Sequence, residues 1–184
     1  MENGKAIGIV ETSSIARGFM IADTVLKSAN VKIIVNRTIC PGKYMVLIGG
    51  NVDAVTSAIE AGVKAGAHTV VDHFVIPNVH PSVFPAISGV SQLPELKALG
   101  VIEAFSVASV IEAADAAVKA TQVQLITIHL AMAIGGKGWV SLTGDVASVN
   151  EAVEVGGAVI ERKGLLVDKV VISAPRPEII QEFV

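Results

Sequence analysis

Gly8-Ile9-Val10-Glu11 and Gly100-Val101-Ile102-Glu103 are one short phrase written twice, 92 residues apart. The residues after each copy repeat as well. Ala22-Asp23 returns as Ala114-Asp115, Lys27 as Lys119 and Val31 as Val123 at the same spacing. Further on the spacing grows to 94, matching Gly42-Lys43 with Gly136-Lys137 and Gly50-Asn51-Val52 with Gly144-Asp145-Val146. It then reaches 96, matching Val71-Asp72 with Val167-Asp168 and Pro81 with Pro177. Internal repetition describes the whole architecture, so it outranks any local pattern. The chain is a tandem duplication, with residues 1–90 assigned to the first copy and 91–184 to the second. The step from 92 to 94 places two extra residues in the second copy, between Val123 and Gly136.

Each copy reads as strand, helix, strand, strand, helix, strand. Ala6–Glu11 is a short apolar strand, and Ser13 or Ser14 is a suitable cap for the helix that comes next. Ile15, Phe19, Ala22, Leu26 and Ala29 recur at helical spacing and predict one apolar face. Val31–Val35 and Tyr44–Ile48 are largely β-branched runs on either side of a Pro-Gly turn, which predicts a hairpin. Asn51 and Asp145 stand where a helix N-cap belongs, and Val52, Val55, Ile59 and Val63 succeed the first of them at helical spacing. Thr69–Ile76 and Leu165–Ile172 are the fourth strands, and Pro81–Ala98 connects the copies. This order predicts an α+β fold, two domains each with helices on one face of a mainly antiparallel four-stranded sheet.

Composition narrows the function. Of 184 residues 52% are hydrophobic and only 17% charged, against about 25% charged in a typical soluble domain. Disorder is excluded, because it requires low hydrophobicity and high net charge. The most apolar stretch, Val123–Ile134, is broken by Gln124, Thr127 and His129 and falls short of the roughly 18–20 residues a membrane span needs. Met1–Lys5 lacks the pattern of a signal peptide. A net charge of −3 without any run of Lys or Arg argues against nucleic acid as a partner. The single cysteine, Cys40, forbids an intrachain disulfide and suits a reducing cytoplasm. So few charges on an apolar chain predict an oligomer, with much of the surface covered by other copies.

The opening phrase, followed by a helix ending Leu26-Lys27-Ser28-Ala29-Asn30-Val31, resembles the BMC domain of bacterial microcompartment shell proteins. The second copy, Val118-Lys119-Ala120-Thr121-Gln122-Val123, is a looser version. The resemblance covers essentially the whole chain, once per half. It implies a tandem-domain shell protein of the bacterial cytoplasm, whose homotrimer imitates the six-domain hexagonal tile of single-domain relatives and meets other shell proteins at its edges. Both halves start on the same strand, which disfavours the circularly permuted variant of the family.

Thr38-Ile39-Cys40-Pro41-Gly42-Lys43 resembles, more narrowly, the PduT-type subgroup of propanediol-utilising compartments, as does Asn78-Val79-His80-Pro81-Ser82-Val83. In that subgroup the cysteine of this loop lies at the central pore of the trimer and ligates an iron–sulfur cluster. The resemblance therefore implies one [4Fe–4S] cluster per trimer, shared by Cys40 of three chains, with electrons passing across the shell to or from encapsulated redox enzymes. One cysteine cannot hold such a centre alone, since a [4Fe–4S] cluster usually takes four thiolates. Three chains around an axis would bring three, leaving one iron for another ligand. The second-copy loop, Ala131-Met132-Ala133-Ile134-Gly135-Gly136-Lys137-Gly138, has no cysteine. Thr38, Ile39, Pro41, Gly42 and Lys43, with Gly135, Gly136 and Lys137, are the expected pore-loop residues. Pro41 helps define the turn, Gly42 lets backbone N–H groups approach the sulfur, and a nearby Lys43 would favour the thiolate. Against this stands the ordinary role of an isolated intracellular cysteine as a small buried hydrophobe.

Lys27 and Lys119 occupy the place of a lysine that lies along tile edges in the proteins this chain resembles. Arg176 resembles an edge arginine, and the first copy shows Asn78 or His80 there instead. Each has an ordinary reading too; a lysine near a helix C-terminus simply suits the helix dipole. Gly135-Gly136-Lys137-Gly138 lacks the upstream glycine and the following Ser or Thr of a phosphate-binding loop. His68, His73, His80 and His129 share no metal-binding spacing and are read as structural or surface residues. Glu11 and Glu103 are equivalent by duplication, which favours a structural role. No nucleophile–base pair is apparent, so no enzymatic activity is expected. The competing functions are a tile whose pore conducts a small metabolite and holds no cluster, and a soluble ligand-binding α+β oligomer.

Overall fold

The computed structural model describes residues 6–89, 95–132 and 134–180. The first copy runs β1 (Ala6–Thr12), α1 (Ile15–Ser28), β2 (Lys32–Ile39), β3 (Lys43–Gly50), α2 (Val52–Gly66) and β4 (Val70–Ile76). After a short helix α3 (Val83–Ser88), the second runs β5 (Ala98–Ala104), α4 (Val107–Ala120), β6 (Gln124–Leu130), β7 (Gly138–Gly144), α5 (Val146–Glu161) and β8 (Leu166–Ile172). The sheets have strand orders β2-β3-β1-β4 and β6-β7-β5-β8, with antiparallel neighbours throughout. Duplication extends to the irregularities. Register slips fall at Glu11/Thr12 and Glu103/Ala104, and again at Ile33/Val35 and Leu125/Thr127. Repeated bulges of this kind are built features of a fold.

The glycine that opens the repeated phrase has a packing cause. A Cβ on Gly8 would lie 2.5 Å from Ile59 and 2.8 Å from Val55 of α2. On Gly100 it would lie 2.7 Å from Val153 and 3.0 Å from Val149 of α5. Only a bare Cα lets each helix cross its central strand this closely, and the core forms at that crossing. In the first copy it gathers Val10, Ile21, Val25, Val46, Ile48, Val55 and Ile59. Each such side chain contributes about 1.5–3 kcal/mol by leaving water.

The core face of α1 is not the one the spacing predicts. Of the five residues at that spacing only Ala22 is buried; the core takes Gly18, Ile21, Ala22 and Val25. Ile15, Phe19 and Leu26 are exposed, together with Met20. The helix is apolar on two sides, and the side with a glycine wins because Gly18 lets the backbone close on Tyr44. The connector contains the short helix α3. Pro85 sits in the first turn of that helix, where its missing N–H costs nothing. The structure forms two compact units, Met1–Val79 with Met132–Gly136, and His80–Ala131 with Lys137–Val184. The connector helix, placed with the first copy by the sequence boundary, packs on β6 in the second unit.

Helix capping agrees closely with the sequence. Ser14 accepts from the N–H of Arg17, Ser106 from that of Ser109, and Asp145 from that of Ser148. Asn51 holds the cap position of α2 without a side-chain bond. The N–H and then the hydroxyl of Ser148 hold the Asp145 carboxyl below its ordinary pKa. A lowered folded-state pKa adds stability above the unfolded value of about 3.9 and loses it as pH falls through the folded value. Asp145→Asn keeps a capping oxygen without the charge. The thermal midpoint of the parent protein should therefore fall relative to Asp145→Asn as pH drops from neutral into that acid range. A constant difference across the range would contradict this role.

Candidate functional site

The β2–β3 hairpin carries the only cysteine at its tip. Ile39 ends β2 and is buried, which anchors the turn; Cys40 is half-buried, while Thr38, Pro41 and Gly42 are exposed. The Cys40–Pro41 peptide is cis, and Gly42 adopts φ +74°, a left-handed conformation that favours glycine. Cys40 is a free thiol. The turn thus presents a soft sulfur donor at an exposed apex.

Lys43 opens β3 beneath this turn. Its ammonium donates to the carboxylate of Glu11, at the end of β1, and to the carbonyl of Gly136 at 3.1 Å. The Glu11 side chain is fully buried and that of Lys43 is 13% exposed. Among the contacts of Lys43, the bond to Glu11 compensates a buried carboxylate. The duplication repeats the pair in looser form. Lys137 lies 2.5 Å from Glu103, with side chains 37% and 28% exposed. Sequence reading recognised both glutamates as structural and missed their partners. The signal was there, because the phrase-ending glutamate and the loop-ending lysine recur together.

The segment Met132–Gly136, which packs within the first unit, holds the two extra residues of the second copy. Gly135 and Gly136 both have left-handed φ, +67° and +85°. Gly135 has open space around its Cα, whereas Gly136 is buried against the Cys40–Pro41 peptide. Ala133 of the expected loop lies outside the described residues.

The other predicted residues lie elsewhere. Lys27 is exposed and pairs with Asp23 at 2.6 Å. Lys119 pairs with Asp115 at 2.5 Å, but Asp115 is buried and also accepts from the N–H of His80 at 2.7 Å, fastening the connector. Equivalent positions thus hold one open and one anchored lysine. Arg176 is exposed and pairs with Glu178 at 3.2 Å. His129 stacks on Trp139 with centroids 5.7 Å apart, and the ring Nδ1 of His80 hydrogen-bonds with Ser82 Oγ at 2.8 Å.

Among the described residues no group of three or more His, Cys, Asp or Glu side chains could hold a metal ion within one chain. A thiolate-held cluster would therefore need one sulfur from each of several chains; the sulfur at the turn tip is the right ligand type for iron–sulfur chemistry. A separate apolar groove of about 400 Å³ crosses the second sheet, lined by Leu99, Val101, Ile126, Trp139, Val170 and Ile172 among others. Leu99 and Val101 alternate along β5 with Gly100 and Ile102, which face α5, so the groove lies on the sheet face opposite the helices.

The BMC domain family matches residues 6–79 and 98–175. The chain is 46% identical over 180 residues to the bacterial microcompartment shell protein PduT of Citrobacter freundii, covering 98% of each chain. It is 35% identical over 91 residues to the shell protein PduA of Salmonella typhimurium, matching 48% of this chain and 97% of that one. A solved microcompartment protein from Desulfitobacterium hafniense DCB superposes with a TM-score of 0.84 at 52% identity, covering 95% of this chain and 97% of the other.

Proposed function

Because the chain belongs to the BMC-domain family and is a structural shell protein of a bacterial microcompartment, we propose that three copies close into a pseudo-hexagonal tile. The three Cys40 turns face its central pore and share one [4Fe–4S] cluster. The observation that carries this reading is the half-buried, free thiol at the tip of the β2–β3 hairpin, in a loop whose second-copy counterpart has none. Three copies supply three thiolates, where a complete set is four. When bound, such a cluster supplies one-electron redox chemistry; the chain itself orients the thiols and shields the site. The partners of the reaction are then redox enzymes enclosed by the shell, and the protein itself is no enzyme.

Closure into a ring is supported by two apolar surfaces left open in the single chain. Helix α1 exposes Ile15, Phe19, Met20 and Leu26, and the second sheet carries the apolar groove. A head-to-tail ring of identical chains covers both kinds of surface at every junction. The edge roles divide in the same spirit, with Lys27 exposed and able to meet a neighbouring tile and Lys119 held by Asp115. Lys27→Ala should leave the trimer mass unchanged in native mass spectrometry and should impair flat-sheet formation in electron micrographs. Sheets as extensive as those of the parent protein would remove Lys27 from the edge.

A second reading keeps the tile and its pore but leaves Cys40 as a pore-lining thiol. It is favoured by the single sulfur ligand that each chain supplies, against the four thiolates of a complete set. Visible absorbance of anaerobically prepared protein separates the two.

A further inference from the structure

We propose that Gly136 and Lys43 are positioning residues for the Cys40 thiol, bracing its turn from the second-copy loop. The proposal builds on the reading of Cys40 as the functional group of the tile, and it concerns how that group is held.

The first observation is a contact only glycine permits. Gly136 is buried at φ +85°, and a Cβ there would lie 2.5 Å from Pro41 Cδ, 2.6 Å from the Cys40 carbonyl oxygen and 3.2 Å from the Cys40 carbonyl carbon. These are ring and backbone atoms, which cannot swing aside as a long side chain can. Gly136 is therefore seated directly on the Cys40–Pro41 peptide. The second observation is the Lys43 ammonium, which joins the Gly136 carbonyl to the buried carboxylate of Glu11. The end of β1, the start of β3 and the 134–136 segment converge on one cation beneath the turn.

The duplication makes sense of this arrangement. The second-copy loop is longer by two residues and has no sulfur ligand of its own at the matching position. One copy carries the thiol and the other carries the brace. A site must be held to a fraction of an ångström to bind a multi-chain centre, and that precision comes from the shell of residues around the ligand.

Gly135 provides a control within the same loop. It shares the left-handed backbone, at φ +67°, but has nothing within 4 Å of the Cβ position. Gly135→Ala and Gly136→Ala therefore impose similar backbone cost, and only the second pushes on Cys40.

The test is iodoacetamide labelling of Cys40 in the iron-stripped full-length protein, followed by intact mass, with oligomer mass recorded for each variant. Gly136→Ala should label about tenfold faster than the parent, as a turn that opens more readily does. Gly135→Ala should stay within about twofold of the parent. Should Gly136→Ala fail to fold, Glu11→Gln with Lys43→Met removes the tie without leaving a buried charge, and the same acceleration is expected. Equal rates in Gly135→Ala and Gly136→Ala, or a parental rate in the double variant, would overturn the brace. After anaerobic reconstitution, iron uptake by Gly136→Ala should fall below that of Gly135→Ala at equal oligomer mass. A parent protein that takes up no iron would instead remove the cluster reading, and the labelling rates would still decide the brace.

Discussion

Lys43→Met should destabilise the protein by about 3–5 kcal/mol, because it leaves the carboxylate of Glu11 buried without its cation. Glu11 is fully buried and Lys43 nearly so, which prevents water from taking over the lost interaction. The matching change in the second copy sets the scale. Lys137 and Glu103 are each partly exposed, and a solvated pair contributes on the order of 1 kcal/mol or less. Lys137→Met should therefore cost a small fraction of what Lys43→Met costs, although duplication makes the two positions equivalent. Glu11→Gln combined with Lys43→Met should recover most of the loss, since no buried charge then remains uncompensated. Denaturant midpoints for the three variants measure this directly. Equal losses at Lys43 and Lys137 would show that burial of the first pair does not set its worth.

Cys40→Ser should abolish iron–sulfur absorbance and leave the oligomer intact. Serine keeps the size of the side chain within a methylene-scale change, so a half-buried turn tip loses little packing. Its hydroxyl is a harder ligand than a thiolate and does not ionise near neutral pH, so each chain loses its contribution to a cluster. In the proposed tile of three chains one substitution would remove three ligands, and no other group of potential ligands is assembled within the described residues of a chain. The expected result is complete loss of the visible band with an unchanged native mass. Loss of the oligomer instead would assign Cys40 to packing.

Much of the fold was legible because the duplication writes its constraints twice. Gly8 and Gly100 recur because a helix crosses each central strand at that point, and Glu11 and Glu103 because each meets a lysine. The N-caps at Ser14 and Asp145 were legible too, since a capping side chain acts within three residues of itself. What escaped reading depends on contacts remote in sequence. Periodicity shows that α1 is apolar, but the choice of core face is made by Gly18 closing on Tyr44. The Lys43–Glu11 pair spans 32 residues and the Lys43–Gly136 bond spans 93, so neither has a local signature. The same limit hid the difference between Lys27 and Lys119, which lies in the burial of Asp115 and its bond to the connector. Pro81–Ala98 reads only as a connector, because helix α3 within it spans six residues, too few for a periodic signal, although Pro85 is harmless in a first turn.

Three chains are proposed to bring three Cys40 thiols to one cluster. The most direct test of this is to purify the protein without oxygen and determine native mass, iron and acid-labile sulfide on the same sample. The expected result is a species of three chains with about four irons and a broad band near roughly 400 nm, on the order expected for iron–sulfur charge transfer. A three-chain species that takes up no iron after anaerobic reconstitution would contradict it and leave a tile with an ordinary pore.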